Sequence, residues 1–130
     1  MALVIRALHA ASAPDLLNEE FLIVENTGPG LINAKGCTLL IGKRGQRPRA
    51  LGTLDPGFVL KAGEKARLIT GSPAKKAWGT PPAEGDARNY FLFLREPWLR
   101  PGAEISIAMK QLEMARARFA PDGKDGLEQT

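Results

Sequence analysis

Short apolar runs separated by turns rich in glycine and proline follow one another along the whole chain. In Lys65–Ile69 and again in Ala115–Phe119, charged residues alternate with apolar ones, which is typical of a strand with one face in water. The run Tyr90–Leu94 has no polar face, which indicates a strand covered on both sides or one with an exposed apolar edge. We predict nine strands, in the ranges 3–8, 20–25, 37–41, 49–51, 58–60, 65–69, 90–94, 104–109 and 115–119.

The composition agrees with many short strands joined by turns. Fourteen glycines and ten prolines are spread over the 130 residues instead of being concentrated in one linker. This length suffices for one sandwich, which needs about 100 residues, and leaves no room for a second domain. We therefore predict an all-β fold of about eight or nine short, mostly antiparallel strands over residues 1–120, followed by a flexible C-terminal tail over residues 121–130.

Cys37 is the only cysteine, so no disulfide can form within the chain, which fits a reducing compartment. Arg6 and His9 interrupt the apolar residues near the N-terminus, which predicts a first strand in place of a signal peptide. No stretch approaches the roughly 20 apolar residues of a membrane span. We expect a cytoplasmic protein, with export left open.

One segment, residues 17–42, carries a family resemblance. It contains Asn18-Glu19-Glu20-Phe21, an apolar strand, Glu25-Asn26-Thr27-Gly28, and then Gly36, Thr38 and Leu39; Thr70-Gly71 and Trp78-Gly79 follow downstream. In this order the residues resemble the lamin tail domain, an immunoglobulin-like β-sandwich found at the end of nuclear lamins and in many bacterial proteins. The resemblance covers about residues 3–119.

The resemblance implies an immunoglobulin-like β-sandwich and assigns structural roles to a set of motif positions. Cys37 stands where the family usually has tryptophan, so we expect a core repacked around Phe58, Trp78 and Phe91. The motif positions are Asn18, Glu20, Asn26, Gly28, Gly36, Trp78 and Gly79.

Catalysis is poorly supported by the residue types present. His9 is the only histidine, and together with one cysteine it cannot supply the four ligands of a zinc site. We predict no enzyme activity, no metal and no cofactor. A remote alternative is a hydrolase that uses Asp15, Glu19 and Glu20 with a metal from solution. Asn18, Glu19 and Glu20 more simply predict side chains that hydrogen-bond to loop backbone amides.

A basic cluster around Gly45 gives the clearest functional signal. Lys43, Arg44, Arg47 and Arg49 fall within seven residues without an intervening acid, and the whole chain has a net charge of +4. Such a hairpin can follow a phosphate backbone, and some lamin tail domains are thought to contact DNA and chromatin. The alternatives are charges that only keep edge strands soluble, or a surface for an acidic protein.

Our leading hypothesis is a non-catalytic binding or scaffolding module that presents loops and strand edges to a protein partner or to itself. The predicted contact region combines Tyr90 in its apolar strand with Trp98, a loop tryptophan flanked by Arg95 and Arg100. Binding of DNA or another polyanion through the basic hairpin is the alternative.

Overall fold

Ten strands make up most of the fold in the computed structural model, which describes residues 2–43 and 45–128. Three 3-10 turns lie at Leu17–Glu19, Lys76–Trp78 and Lys124–Gly126. The strands are β1 Leu3–His9, β2 Phe21–Asn26, β3 Ile32–Asn33, β4 Thr38–Lys43, β5 Arg49–Thr53, β6 Val59–Leu60, β7 Lys65–Ile69, β8 Ala87–Phe91, β9 Ala103–Met109 and β10 Leu112–Arg118.

The strands form a sandwich of two four-stranded sheets with a small third sheet. One large sheet has the order β1-β2-β7-β8 and the other the order β10-β9-β4-β5, while β3 pairs with β6. All pairs are antiparallel except β7 with β8, which run parallel. The prediction of an all-β sandwich is confirmed. All nine predicted strands occur, the one at Lys65–Ile69 with the predicted bounds and the other eight with shifted ends, and only β3 was not predicted.

The core lies between the two large sheets and follows the two-residue period of the strands. In β2 the side chains of Leu22 and Val24 are fully buried, and in β9 those of Ile105 and Ile107 are nearly so. Their neighbours along each strand are more exposed, since successive side chains point to opposite faces. Burying each such side chain contributes about 1.5–3 kcal/mol, which makes this layer the main source of stability.

The two tryptophans occupy places opposite to those predicted. Trp98 is only 4% exposed and belongs to the core, whereas Trp78 sits half-buried on a 3-10 turn outside it. The expected repacking around Trp78 is therefore wrong. Phe58 does pack against the core, edge-to-face with Tyr90 at a ring distance of 5.2 Å. Cys37 is fully buried, with its Sγ 3.6 Å from the Met114 sulfur.

Residues 121–128, expected to form a flexible tail, fold back onto the sandwich. Leu127 pairs with Phe119, and the backbone amide of Glu128 donates to the Arg118 carbonyl at 3.0 Å. Gly126 packs directly on the carbonyl oxygen of Leu8, where any larger residue would collide. The tail is thus part of the domain as far as Glu128. Residues 129 and 130, also predicted to belong to the tail, lie outside the described residues.

Candidate functional site

The basic cluster lies at the tip of a β-hairpin, as its turn residues predicted. Strands β4 and β5 are antiparallel, with Ile41 opposite Arg49. The turn is closed by the Gln46 amide, which donates to the Lys43 carbonyl at 2.9 Å, and Gly45 adopts a φ of +80° that favours glycine. Lys43, Arg47 and Arg49 are exposed, and Arg44, the fourth predicted cation, lies outside the described residues.

A second loop, residues 92–100, approaches this hairpin after strand β8. Its first residues are held by backbone hydrogen bonds: Leu92 to Ile69 at 2.8 Å, Phe93 to Gly71 at 3.0 Å and Leu94 to Thr70 at 2.8 Å. Strand β8 ends at Phe91, but these hydrogen bonds keep the next three residues attached to the end of β7 and the residues that follow it. The loop therefore leaves the sheet from a fixed position.

The far end of the loop is fixed by a buried carboxylate. Glu20, 1% exposed, accepts hydrogen bonds from the backbone amides of Trp98 and Leu99, both at 3.2 Å. The Thr70 hydroxyl donates to the same carboxylate at 2.9 Å and accepts the Trp98 indole N–H at 2.8 Å. Burial raises the pKa of Glu20, against the opposing effect of these hydrogen bonds and of the nearby Arg100. Glu20 thus ties the loop to the core.

Two adjoining depressions lie between the hairpin and this loop, and both are lined by Arg49 and Trp98. The first has a volume of about 210 Å³ and is also lined by Lys43, Arg47 and Arg100. The second has a volume of about 280 Å³ and carries Arg95, with Glu96 as its one acidic lining residue; Leu51, Leu94 and Pro97 line the rest. The fold therefore brings together the two basic groups that the sequence placed far apart.

The described arginines divide into bonded and unbonded groups. Arg6 bonds to Glu25 at 2.7 Å and Arg67 to Asn89 at 2.8 Å; Arg88, Arg116 and Arg118 each have a carboxylate within 4 Å. Within residues 2–43 and 45–128, the remaining arginines form no salt bridge or hydrogen bond with their side chains. These are Arg47, Arg49, Arg95 and Arg100, and all of them line the two depressions.

Lys43 at the hairpin tip is likewise unbonded through its side chain among the described residues. We call the set Lys43, Arg47, Arg49, Arg95 and Arg100 the arginine surface. A guanidinium group presents a planar array of donors that matches phosphate or carboxylate oxygens. The arginine surface therefore offers its donors to an anion from outside the chain.

A further cavity lies elsewhere, between β1 and the C-terminal segment. Its volume is about 450 Å³ and its lining is mostly apolar, including Phe21, Ile23, Phe119 and Pro121. His9 at its rim stacks on Phe21 with ring centroids 4.8 Å apart, and its Nδ1 lies 2.8 Å from the Glu19 carbonyl oxygen. Nothing in this lining converges on a reacting group or an anion.

The predicted partner-binding aromatics do not form an exposed patch. Trp98 was expected to reach a partner from an open loop, but its indole is buried and hydrogen-bonded, so that prediction is wrong. Tyr90 is half-buried, and its hydroxyl accepts from the Gly57 amide at 3.1 Å. Arg95 and Arg100 are exposed as predicted, on the arginine surface.

Phe93 was predicted to lie in a strand over residues 90–94, but it lies in the loop after β8 and is 65% exposed. The signal was present in the apolar run 90–94, which continues past the end of strand β8 at Phe91. A run that outlasts its strand places its last residues in a loop.

Several motif positions hold loops through side-chain hydrogen bonds to backbone. The Asn18 amide donates to the carbonyls of Ser72 at 3.0 Å and Gly79 at 2.9 Å. Asn26 donates to Leu60 at 3.0 Å and accepts from Gly28 at 3.0 Å. These bonds satisfy backbone groups that would otherwise be buried without partners.

Two of the three glycine motif positions are explained by backbone shape. Gly36 and Gly79 have φ values of +83° and +95°, a region that other residues rarely adopt. Trp78, next to Gly79, has the ammonium of Lys75 6.0 Å from the centre of its ring.

The carboxylates of the remote hydrolase alternative are directed to different places. Glu19 accepts a hydrogen bond from the Ser12 hydroxyl at 2.7 Å near the surface, while Glu20 is bonded inside the core. Over the described ranges, no group of three or more His, Cys, Asp or Glu residues is placed to hold a metal ion. The structure therefore does not bring Glu19 and Glu20 to one site.

Comparison with known proteins returns no family model that matches the chain and no match among curated proteins. In the part of the chain that the structure describes, no helix has the length and apolar character needed to cross a membrane. A functional assignment therefore depends on the geometry of this chain's own residues.

Proposed function

We propose that this protein is a non-catalytic binding module whose arginine surface binds a polyanion, specifically the phosphate backbone of a nucleic acid. The observation that carries this proposal is the location of the unbonded arginines. Every described arginine without a bonding partner lines one of the two depressions beside Trp98. Phosphate contacts by such groups supply most of the sequence-independent affinity of nucleic-acid-binding proteins.

The arrangement of the two depressions supports an extended anion over a single small one. Arg49 lines both of them, so the cations form one continuous surface and not two separate sites. Glu96 is the only acidic residue in either lining, and it lies in the second depression. A chain of phosphates can therefore run from the hairpin to the loop without passing an acid until it reaches Glu96.

Rigidity of the loop also supports binding. Because Glu20 and Thr70 fix Trp98 and Leu99, the following Arg100 starts from a backbone that is already ordered. A preorganised site loses less conformational entropy when its ligand binds.

Fluorescence anisotropy of labelled duplex DNA, titrated at low and near-physiological salt, tests this proposal. With four or five cations in contact, we expect the logarithm of affinity to fall with the logarithm of salt with a slope of about −3.6 to −4.5. Arg47→Glu/Arg49→Glu should abolish most binding at low salt. Lys110→Glu/Lys124→Glu, which changes the net charge equally at exposed positions off this surface, is the control. Equal binding by both double variants contradicts the proposal, and so does a natural chain that at low salt binds neither duplex DNA, single-stranded DNA nor heparin.

A protein partner or self-association is the second candidate, and the free strand edges favour it. Strands β5 and β8 each end a sheet and pair with one neighbour only among the described residues. All positions of β5 except Leu51 are exposed. An exposed edge can accept a further strand from another chain.

Light scattering after size exclusion, over a range of protein concentrations, tests self-association. A monomer at every concentration contradicts it. If dimers form through the edge of β5, Gly52→Pro should weaken them.

A relation to the lamin tail domain and a cytoplasmic location complete the proposal. The loop-holding bonds of Asn18, Glu20 and Asn26 support the relation, since these are motif positions of the resemblance. An experimental structure superposed on a lamin tail domain tests it by strand order and by the positions of these three residues. Cell fractionation tests the location.

A further inference from the structure

Phe93 is exposed in a way that packing does not explain. Its side chain is 65% exposed, the highest value among the large apolar residues described. Its φ is +56°, in the left-handed region that is unusual for a bulky side chain. Residues held in such conformations tend to occur at functional sites, where the surrounding structure maintains them.

The backbone around Phe93 is held on both sides. The amides of Leu92, Phe93 and Leu94 all donate to carbonyls at the end of β7 and just beyond it, at 2.8, 3.0 and 2.8 Å. The backbone of Phe93 is therefore fixed by hydrogen bonds, and its ring is exposed to solvent from that fixed position.

Phe93 also adjoins the arginine surface. Leu94, the next residue, lines the second depression together with Arg49 and Arg95. Arg95 follows Phe93 by two residues, which places their Cα atoms at most about 7 Å apart. An exposed aromatic ring and unbonded cations thus lie on one stretch of loop.

We infer that the polyanion bound at the arginine surface is a single-stranded nucleic acid, with Phe93 stacking on one of its bases. This inference rests on the proposed function and specifies its ligand. Single-strand binding combines a cationic groove for the backbone with aromatic side chains on which bases stack. In a duplex each base is already stacked on its neighbours, so a single exposed ring gains contact only with an unpaired base.

The test compares a ligand that has bases with a polyanion that has none. The probes are a labelled single-stranded oligonucleotide containing 2-aminopurine, a duplex of the same length, and heparin. We expect tightest binding to the single strand, with a change in 2-aminopurine fluorescence on binding. Phe93→Ala should weaken single-strand binding about 5- to 150-fold and remove that fluorescence change, while leaving heparin binding unaltered.

Two further variants separate stacking from changes in folding. Phe93→Trp keeps an aromatic face and should retain both affinity and the fluorescence change. Leu31→Ala removes an apolar side chain of similar exposure, 64%, from another loop and should alter neither. Thermal unfolding of each variant verifies that the fold is kept.

The outcomes distinguish this inference from the proposed function. If Phe93→Ala binds heparin and the single-stranded oligonucleotide as tightly as the natural chain does, base stacking is overturned. Polyanion binding by the arginine surface is not affected by that result. Tighter binding of the duplex than of the single strand also overturns the inference. Failure of all three probes to bind at low salt overturns the inference and the proposed function together.

Discussion

Two hairpins of the same sheet carry arginines, and they differ in what those arginines contact. On β9 and β10, Glu104 lies 3.4 Å from Arg116 and 2.8 Å from Arg118. On the β4–β5 hairpin, Arg47 in the turn and Arg49 on β5 have no such partner among the described residues. Both groups contribute equally to the net charge, so the charge alone cannot tell a binding surface from a neutralised one.

The reason for the difference is the direction in which one acid points. Glu104 is the register partner of Gly42, only one residue from Lys43, and is thus close to the hairpin tip. Its carboxylate is nevertheless bonded to the arginines of β10 on its other side. Arg49 is the register partner of Ile41, the residue before Gly42, so its side chain lies on the opposite face of the sheet from Glu104.

Among the variants that test the difference between the two hairpins, Trp98→Ala should have the largest effect on stability. Removing a buried tryptophan should lower the free energy of unfolding by about 3–5 kcal/mol, and it removes a wall common to both depressions. Denaturant titration measures the loss. Trp78→Ala is the matched control, because its half-buried ring lies outside the core, and we expect about 1 kcal/mol. Equal losses would contradict the placement of the two tryptophans.

Charge reversal tests the comparison directly. Arg47→Glu/Arg49→Glu should lower polyanion affinity by about 100-fold or more, since each reversal replaces attraction with repulsion of about 1 kcal/mol per contact in water. Arg116→Glu/Arg118→Glu gives the same change in net charge at arginines already bonded to Glu104. Heparin affinity at low salt should be lost in the first variant and largely kept in the second. Equal losses would mean that the response depends only on net charge.

Acid pH should act through Glu20, which holds the loop of the arginine surface. Its pKa is raised in the folded protein above the usual 4.5, so the folded state binds this proton more tightly than the unfolded chain does. The contribution of Glu20 to the free energy of unfolding should therefore be largest below pH 4.5 and should fall as pH rises to the folded pKa.

Glu20→Gln should remove that pH dependence and lower stability at neutral pH by about 1–3 kcal/mol. The cause is that one of the two loop amides, of Trp98 or Leu99, would face an amide N–H in place of an oxygen. Denaturant titrations between pH 4 and 8 on both proteins measure the difference. A parallel pH profile in the variant would show that another group titrates.

The smallest effect should come from removing one of the acids that hold the bonded arginines. Glu104→Gln removes the carboxylate that Arg116 and Arg118 share, while Glu113 stays 2.7 Å from Arg116 and Glu128 stays 3.4 Å from Arg118. Heparin affinity at low salt should rise by about two- to fivefold. Asp122→Asn changes the charge equally at an exposed acid that holds no arginine among the described residues. If both variants bind alike, the bonding state of an arginine does not decide its availability.

The strands of this fold could be predicted because their signals are local. Alternation in β7 and β10, and turn residues such as Gly45, lie within a few positions of the structure that they specify. The docking of the C-terminal segment could not, because it depends on contact between Gly126 and Leu8, which are distant along the chain.

Only one part of the arginine surface could be predicted from the sequence. Lys43, Arg47 and Arg49 are grouped by the sequence itself, but their meeting with Arg95 and Arg100 requires the packed sandwich. Trp98 was misplaced for a similar reason. Its flanking prolines and arginines suggest an open loop, whereas its side chain packs in the core and its backbone amide donates to Glu20, 78 residues earlier.

That separation of 78 residues between Glu20 and Trp98 also orders events during folding. The β4–β5 hairpin closes locally, while the loop of residues 92–100 becomes fixed only when both distant segments have come together. Sandwiches dominated by such long-range pairing fold in milliseconds to seconds, well after hairpins form. During synthesis, the hairpin cations therefore emerge first, and the complete arginine surface exists only once the chain has extended past Arg100.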